Sequence, residues 1–310
     1  MMSRKLIILL SLLWVAIAQA QVIQSITDEN LKIPRGMKPA PKPSNATQPD
    51  VTINTDTPYF NYIDSAQTAI DEHRYVDAER YLLQAVVSDP DNPNNSLLVS
   101  NIATIERYNG NYAEAIKNYN LALDMTPNAV TVLLNRAAVY VEIDSLNLAR
   151  ADYLRVRELD DLNTEARYSL GMLELNDKNY KQAEDYFYEI RYINPNSGLF
   201  NEGMGLLCKA QGNYKRAAEY FTDLIKIKPD VTFLAHRADC YLAMKRLRDA
   251  EADIRTALEQ APTDGYLYLL RAKLNKLRFA HDDMERDIKL ATENGVPEQY
   301  ARKSLEGAMP

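Results

Sequence analysis

Gly203 to Pro229 reads GMGLLCKAQGNYKRAAEYFTDLIKIKP. It turns at Gly212-Asn213 and stops at Pro229, whose ring and missing N–H end a helix. Two segments of helical length remain on either side of the turn. Gly205 in the first and Ala217 in the second are small, so two helices of about 10 Å diameter can approach closely there. Tyr214 and Phe221 fill the space beside them. Tyr214, Phe221 and Leu224 stand three before, four after and seven after Ala217, which places them on one helical face.

The arrangement recurs at a near-constant interval. From Ala78 the small residue repeats at Ala115, Ala149, Ala183, Ala217, Ala250 and Met284, in steps of 37, 34, 34, 34, 33 and 34 residues. An earlier small column keeps the same steps: Ala66, Ala103, Ala137, Gly171, Gly205, Ala238 and Ala272. Four residues after the alanine ladder stand Leu82, Tyr119, Tyr153, Phe187, Phe221, Ile254 and Ile288. Twelve after it stand Pro90, Pro127, Asp161, Pro195, Pro229, Pro262 and Val296. One such hairpin cannot bury its apolar face alone, so neighbouring hairpins must stack.

These columns resemble the tetratricopeptide repeat (TPR): a unit of two helices with small residues at its eighth and twentieth places, an aromatic near the twenty-fourth and a proline at the thirty-second. Seven units start near Tyr59, Ser96, Val130, Thr164, Gly198, Val231 and Gly265. The resemblance implies an all-α fold, a right-handed α-α superhelical solenoid of about seven hairpins. The expected divisions are a signal peptide at 1–20, a Pro-rich linker at 21–57, the repeats at 58–296 and a capping helix at 297–310. Asp161, Met284 and His281 depart from the pattern, and an atypical last unit is what a terminal cap requires.

Residues 1–20, MMSRKLIILLSLLWVAIAQA, have a basic start at Arg4 and Lys5 and an apolar run from Leu6 to Ala18. The run is too short for a bilayer span of roughly 20 residues, and Ala18-Gln19-Ala20 has small-x-small spacing. Export with cleavage after Ala20, to the periplasm or the exterior, is the expectation. The next 37 residues hold Pro34, Pro39, Pro41, Pro43 and Pro49 and read as an extended spacer. Met37–Pro43 has the composition of a polyproline ligand, and Asn45 and Asn94 begin glycosylation sequons. The net charge is −7, or −9 without Arg4 and Lys5, which argues against nonspecific nucleic-acid binding. Cys208 and Cys240 are too few for a disulfide framework. They fall at nearly equivalent places on adjacent first helices and are expected to be small buried residues rather than a bridge.

The three histidines, His73, His236 and His281, are far apart in the repeat frame, and no common nucleotide, zinc or serine-hydrolase motif occurs. No stretch is left over for a catalytic domain. The reading is non-enzymatic, with no cofactor or metal, no small-molecule substrate and no stable membrane insertion. The TPR resemblance implies a ligand face on the first helices, at the second, fifth, ninth, twelfth and thirteenth places. In the middle units these give Leu134, Ala138, Val141, Glu142, Tyr168, Met172, Leu175, Asn176, Glu202, Leu206 and Lys209. Tyr168, Met172 and Leu175 are expected to form an apolar strip left over after the core is assigned, which either holds a protein or peptide segment or is covered by the neighbouring units or the Pro-rich linker. Co-chaperone TPRs grip an acidic tail with Lys at the fifth place. Here the fifth places are Ile63, Ser100, Leu134, Tyr168, Glu202, Ala235 and Leu269, so that clamp is not implied. A structural spacer using its ends or convex side is the alternative.

Overall fold

The structure is a computed structural model that describes residues 57–306. The signal peptide, nearly all of the Pro-rich linker, the Asn45 sequon and the last four residues lie outside the described residues. Among the described residues there are fifteen α-helices and no strand. The chain forms two compact units, one ending at Asp161 and the other starting at Leu162.

In the first unit α1 (Pro58–Asp71) pairs with α2 (Tyr75–Ser88), α3 (Asn95–Tyr108) with α4 (Tyr112–Met125), and α5 (Val130–Glu142) with α6 (Leu146–Leu159). In the second, α7 (Thr164–Asn176) pairs with α8 (Tyr180–Ile193), and α9 (Gly198–Ala210) with α10 (Tyr214–Ile227). There α11 (Val231–Ala243) also pairs with α12 (Leu247–Gln260), and α13 (Gly265–Leu277) with α14 (His281–Glu293). The short α15 (Glu298–Glu306) packs on α13 and α14, burying Ala301 and Leu305, while Lys276 Nζ donates to the Leu305 carbonyl. Pro58 opens α1, and Pro90, Pro93, Pro127, Pro195, Pro229, Pro262 and Pro297 all lie between helices. His281 is the first residue of α14.

Each hairpin turns through one left-handed residue: His73, Gly110, Asp144, Lys178, Gly212, Lys245 and Phe279, with φ from 57° to 77°. These positions repeat the 37, 34, 34, 34, 33, 34 steps of the small-residue columns. At the fourth turn Lys178 N–H reaches Leu175 O at 3.1 Å and Asn179 N–H reaches Glu174 O at 2.8 Å. Bonds three and five residues back are the Schellman pattern, which satisfies carbonyls orphaned at a helix end. Only Gly110 and Gly212 take this conformation without a Cβ penalty; elsewhere it costs on the order of 1 kcal/mol. A turn search by glycine alone therefore finds two of the seven.

The six alanines of the ladder are fully buried. The earlier small column has a more specific cause than helix approach alone. A Cβ on Gly171 would lie 2.5 Å from the Phe187 ring, and one on Gly203 would meet the same ring at 2.5 Å. Phe187 is thus sandwiched between the backbones of α7 and α9. Gly205 stands in the same relation to Phe221, at 2.9 Å. Burying each ring contributes roughly 1.5–3 kcal/mol, and a methyl at the glycine would have to displace it.

Among the described residues three hairpins add a two-pronged Arg–Asp pair across their two helices, while α7–α8 has a single-pronged contact from Arg167 Nε to Glu189 Oε2 at 2.9 Å. Arg136 clasps Asp152 at 2.6 and 2.8 Å, Arg237 clasps Asp253 at 2.7 and 2.8 Å, and Arg271 clasps Asp287 at 2.6 and 3.0 Å. All three pairs are 16 residues apart, at the seventh and twenty-third places of their units. The carboxylates are buried, and two-pronged guanidinium contacts are the geometry that offsets such burial.

Candidate ligand-binding face of the first helices

The first helices carry the residues expected on the ligand face, and each unit arranges its own. In the first unit Leu134, Ala138, Val141 and Glu142 are half-buried along α5. Glu142 is not available as a rim charge. The buried Arg107 of α3 donates to it from Nε at 2.9 Å and also from a terminal nitrogen.

In the second unit Tyr168 and Met172 correct the expectation of a strip left over from the core. Both are buried, at 7% and 8% exposure. Tyr168 packs its ring 6.1 Å from that of Phe187, and its hydroxyl donates to Glu202 Oε1 at 2.9 Å. Tyr168 and Glu202 are the fifth places of successive first helices, so a polar partner one unit on draws the phenol inward. Burial pushes the Glu202 carboxyl up to about 7; the Tyr168 bond opposes this and the Asp230 charge adds to it. Leu175, Asn176 and Leu206 remain half-buried on the same helices.

Lys209 belongs to a cluster that extends onto the first helices of the last two hairpins. Its ammonium lies 2.7 Å from Asp239 Oδ2, and Lys273 Nζ approaches Asp239 Oδ1 at 3.3 Å. All three side chains are only 20–22% exposed. Burial alone would raise the Asp239 carboxyl, but the two ammoniums outweigh it and hold the group well below the usual carboxylate range. Burial likewise disfavours the Lys209 charge, and Asp239 reverses that and raises its pKa. Two ammoniums share one carboxylate, leaving the trio with an excess positive charge. Asp239 and Lys273 are both ninth places, 34 residues apart. Carrying the ligand places on to the last two units would have found them.

Of the remaining candidate chemistry, His236 and the two cysteines are packed away and His73 is exposed. His236 stacks on Phe221 with ring centroids 5.2 Å apart, and burial, with the Lys209 charge, pushes its pKa down to about 3. Cys208 and Cys240 are free thiols in one hydrophobic cluster, and burial pushes Cys240 up to about 12. Such thiols are poor nucleophiles. His73 sits in a turn beside Tyr75, 3.2 Å from its hydroxyl. Among the described residues no helix is long and apolar enough to cross a membrane.

Family models described as tetratricopeptide repeat match residues 144–198 and 209–274, and one described as TPR repeat matches residues 103–144. A solved tetratricopeptide repeat protein from Parabacteroides merdae is 30% identical, with a TM-score of 0.68 over 82% of this chain and 99% of that one. The Cut9-Hcn1 hetero-tetramer of the APC/C shares the fold over 80% of this chain and 55% of that one, at 14% identity and a TM-score of 0.61. The Hsp70-Hsp90 organizing protein of Triticum aestivum is 30% identical over 150 residues, 46% of this chain. The chain spans about a quarter of the length of the curated relatives it first matches, 26% and 27%. With its repeat columns, its seven hairpins and a solved relative matched along nearly its whole length, this chain belongs to the tetratricopeptide repeat family.

Proposed function

We propose that the protein is an exported, non-enzymatic TPR scaffold that holds a protein or peptide segment on the first-helix face of its second unit. The observation that carries this reading is the Lys209–Asp239–Lys273 cluster. Two half-buried lysines share one carboxylate at the ninth and twelfth places of successive first helices. A site with spare cationic capacity beside half-buried Leu206 suits a segment that presents an acidic group next to an apolar side chain. Relatives described as organizing proteins fit a role in protein assembly. Export rests on the character of residues 1–20, and the N-terminal sequence of protein purified from the native host tests it; a start at Gln21 is expected.

Lys273→Met tests the binding face. Lys273 is the longer partner of Asp239, so its loss leaves the 2.7 Å pair with Lys209 in place and the fold intact. Helicity and melting are compared first. Partners recovered from the native host should then fall about ten-fold with the variant, as the loss of a charged contact worth about 1.4 kcal/mol requires. Unchanged recovery would remove the first-helix face as the binding surface and favour a spacer that uses its ends or convex side.

A further inference from the structure

The first hairpin leaves an apolar stripe that no described residue covers. Along α2, Val76, Leu83 and Val87 are 77%, 48% and 76% exposed, and with Arg80 they follow each other at steps of four, three and four. Together with Tyr62 of α1 and Glu79 they line a groove of about 540 Å³. An apolar stripe at helical spacing on the outward side of a terminal hairpin is where a further element would stack.

The stretch read above as an extended spacer carries, ahead of its first proline Pro34, a segment that fits it. Residues 22–33 read VIQSITDENLKI and hold Val22, Ile26, Glu29 and Ile33 at the same steps, four, three and four. Laid antiparallel on α2 as a helix, Ile33 meets Val76, Glu29 meets Arg80, Ile26 meets Leu83 and Val22 meets Val87. Across these four pairs each apolar residue meets an apolar one, and Glu29 meets Arg80, which already pairs with Asp77 at 2.8 Å. The register also brings Lys32 toward Asp77. The tether is long enough. Twenty-three residues lie between Ile33 and Thr57 and span up to roughly 80 Å, while the 14-residue α2 is about 20 Å long. Joined to the hairpin it would cover, the segment acts at an effective concentration on the order of millimolar. We infer that Val22–Ile33 docks antiparallel on the α2 stripe as the cap of the first hairpin. The reading is independent of the ligand face on the second unit.

Cross-linking in the full-length chain tests it. Ile26→Cys with Leu83→Cys should oxidise rapidly to an intrachain disulfide in the monomer, identified by intact mass and peptide mapping. The native thiols are buried and do not compete. Gln24→Cys with Leu83→Cys places the first thiol on the opposite face and should react about ten-fold more slowly. Glu29→Arg in the reactive pair should slow oxidation several-fold, and adding Arg80→Glu should restore it. Leu83 and Arg80 are exposed, so circular dichroism should match the parent. Equal rates for the two cysteine pairs, or no rescue by charge exchange, would overturn the docking register. Disulfides formed only between chains would show a second copy on the stripe and overturn the intrachain cap.

Discussion

At the seventh, eighth, twenty-third and twenty-fourth places, five hairpins of one repeat family join their helices by two chemistries. In α7–α8 and α9–α10, a phenylalanine at the twenty-fourth place fills the gap opposite a glycine at the eighth, and the seventh place is apolar, Leu170 or Met204. In α5–α6, α11–α12 and α13–α14 the eighth place is alanine, the twenty-fourth is Tyr153, Ile254 or Ile288, and an Arg–Asp clasp closes the seventh and twenty-third places. The ring-filled kind depends on shape and tolerates no added methyl. The clasped kind depends on keeping a buried carboxylate paired. One backbone accepts either solution because the two changes occur together within a hairpin.

The clasp should give the largest effect. Arg237→Met leaves Asp253 buried without its two-pronged partner, and breaking a buried pair from one side costs about 3–5 kcal/mol. Adding Asp253→Tyr to Arg237→Leu copies the Leu170 and Tyr186 of the ring-filled hairpin α7–α8 and should recover most of that loss. Urea unfolding of the second unit's transition measures both. If the double variant is no better than the single, the two chemistries are not interchangeable.

Shape comes next. Gly171→Ala puts a methyl within 2.5 Å of the present Phe187 ring position and should cost about 1–3 kcal/mol. Pairing it with Phe187→Ile reproduces the Ala238 and Ile254 combination and should relieve the overlap with Gly171, though not refill the space against Gly203. Melting of the single and double variants checks this. A neutral Gly171→Ala would mean that the ring shifts freely and the glycine is incidental.

The hairpin frame was legible because its columns repeat at every unit, and boundaries such as Val130, Thr164, Gly198, Val231 and Gly265 coincide with observed helix starts. The clasps were harder to see because three of seven units carry them, so neither place forms a column. Their signal is pairwise: Arg136, Arg237 and Arg271 are each followed by an aspartate 16 residues on. Tyr168 reads as left over from the core only while the small and aromatic columns alone define that core. A buried phenol needs a partner for its hydroxyl, and Glu202 stands one repeat away. The Lys209 cluster is spread over three helices and shows only when the same places are compared through to the last unit.

The smallest effect separates the two kinds of hairpin by pH. The ring-filled pair contains Glu202, whose folded-state pKa is raised from 4.5 to about 7. Between these values the folded protein holds a proton that the unfolded chain releases, so this carboxyl lowers stability as pH rises from about 4.5 to about 7 and imposes its full cost above that. His236 acts the other way. Its pKa falls from 6.5 to about 3, so the unfolded chain gains the proton first and stability drops as pH falls through about 6.5. The two oppose each other across the same window and a single melting curve would hide both. Comparing Glu202→Gln with the parent cancels the histidine. The amide cannot ionise, and its carbonyl still accepts from Tyr168. The variant should melt about 2 °C or more above the parent at pH 8, with the gap closing toward pH 4.5. A gap of constant size at every pH would mean that Glu202 ionises normally in the fold and that the Tyr168 hydroxyl, together with access to water, has already compensated its charge.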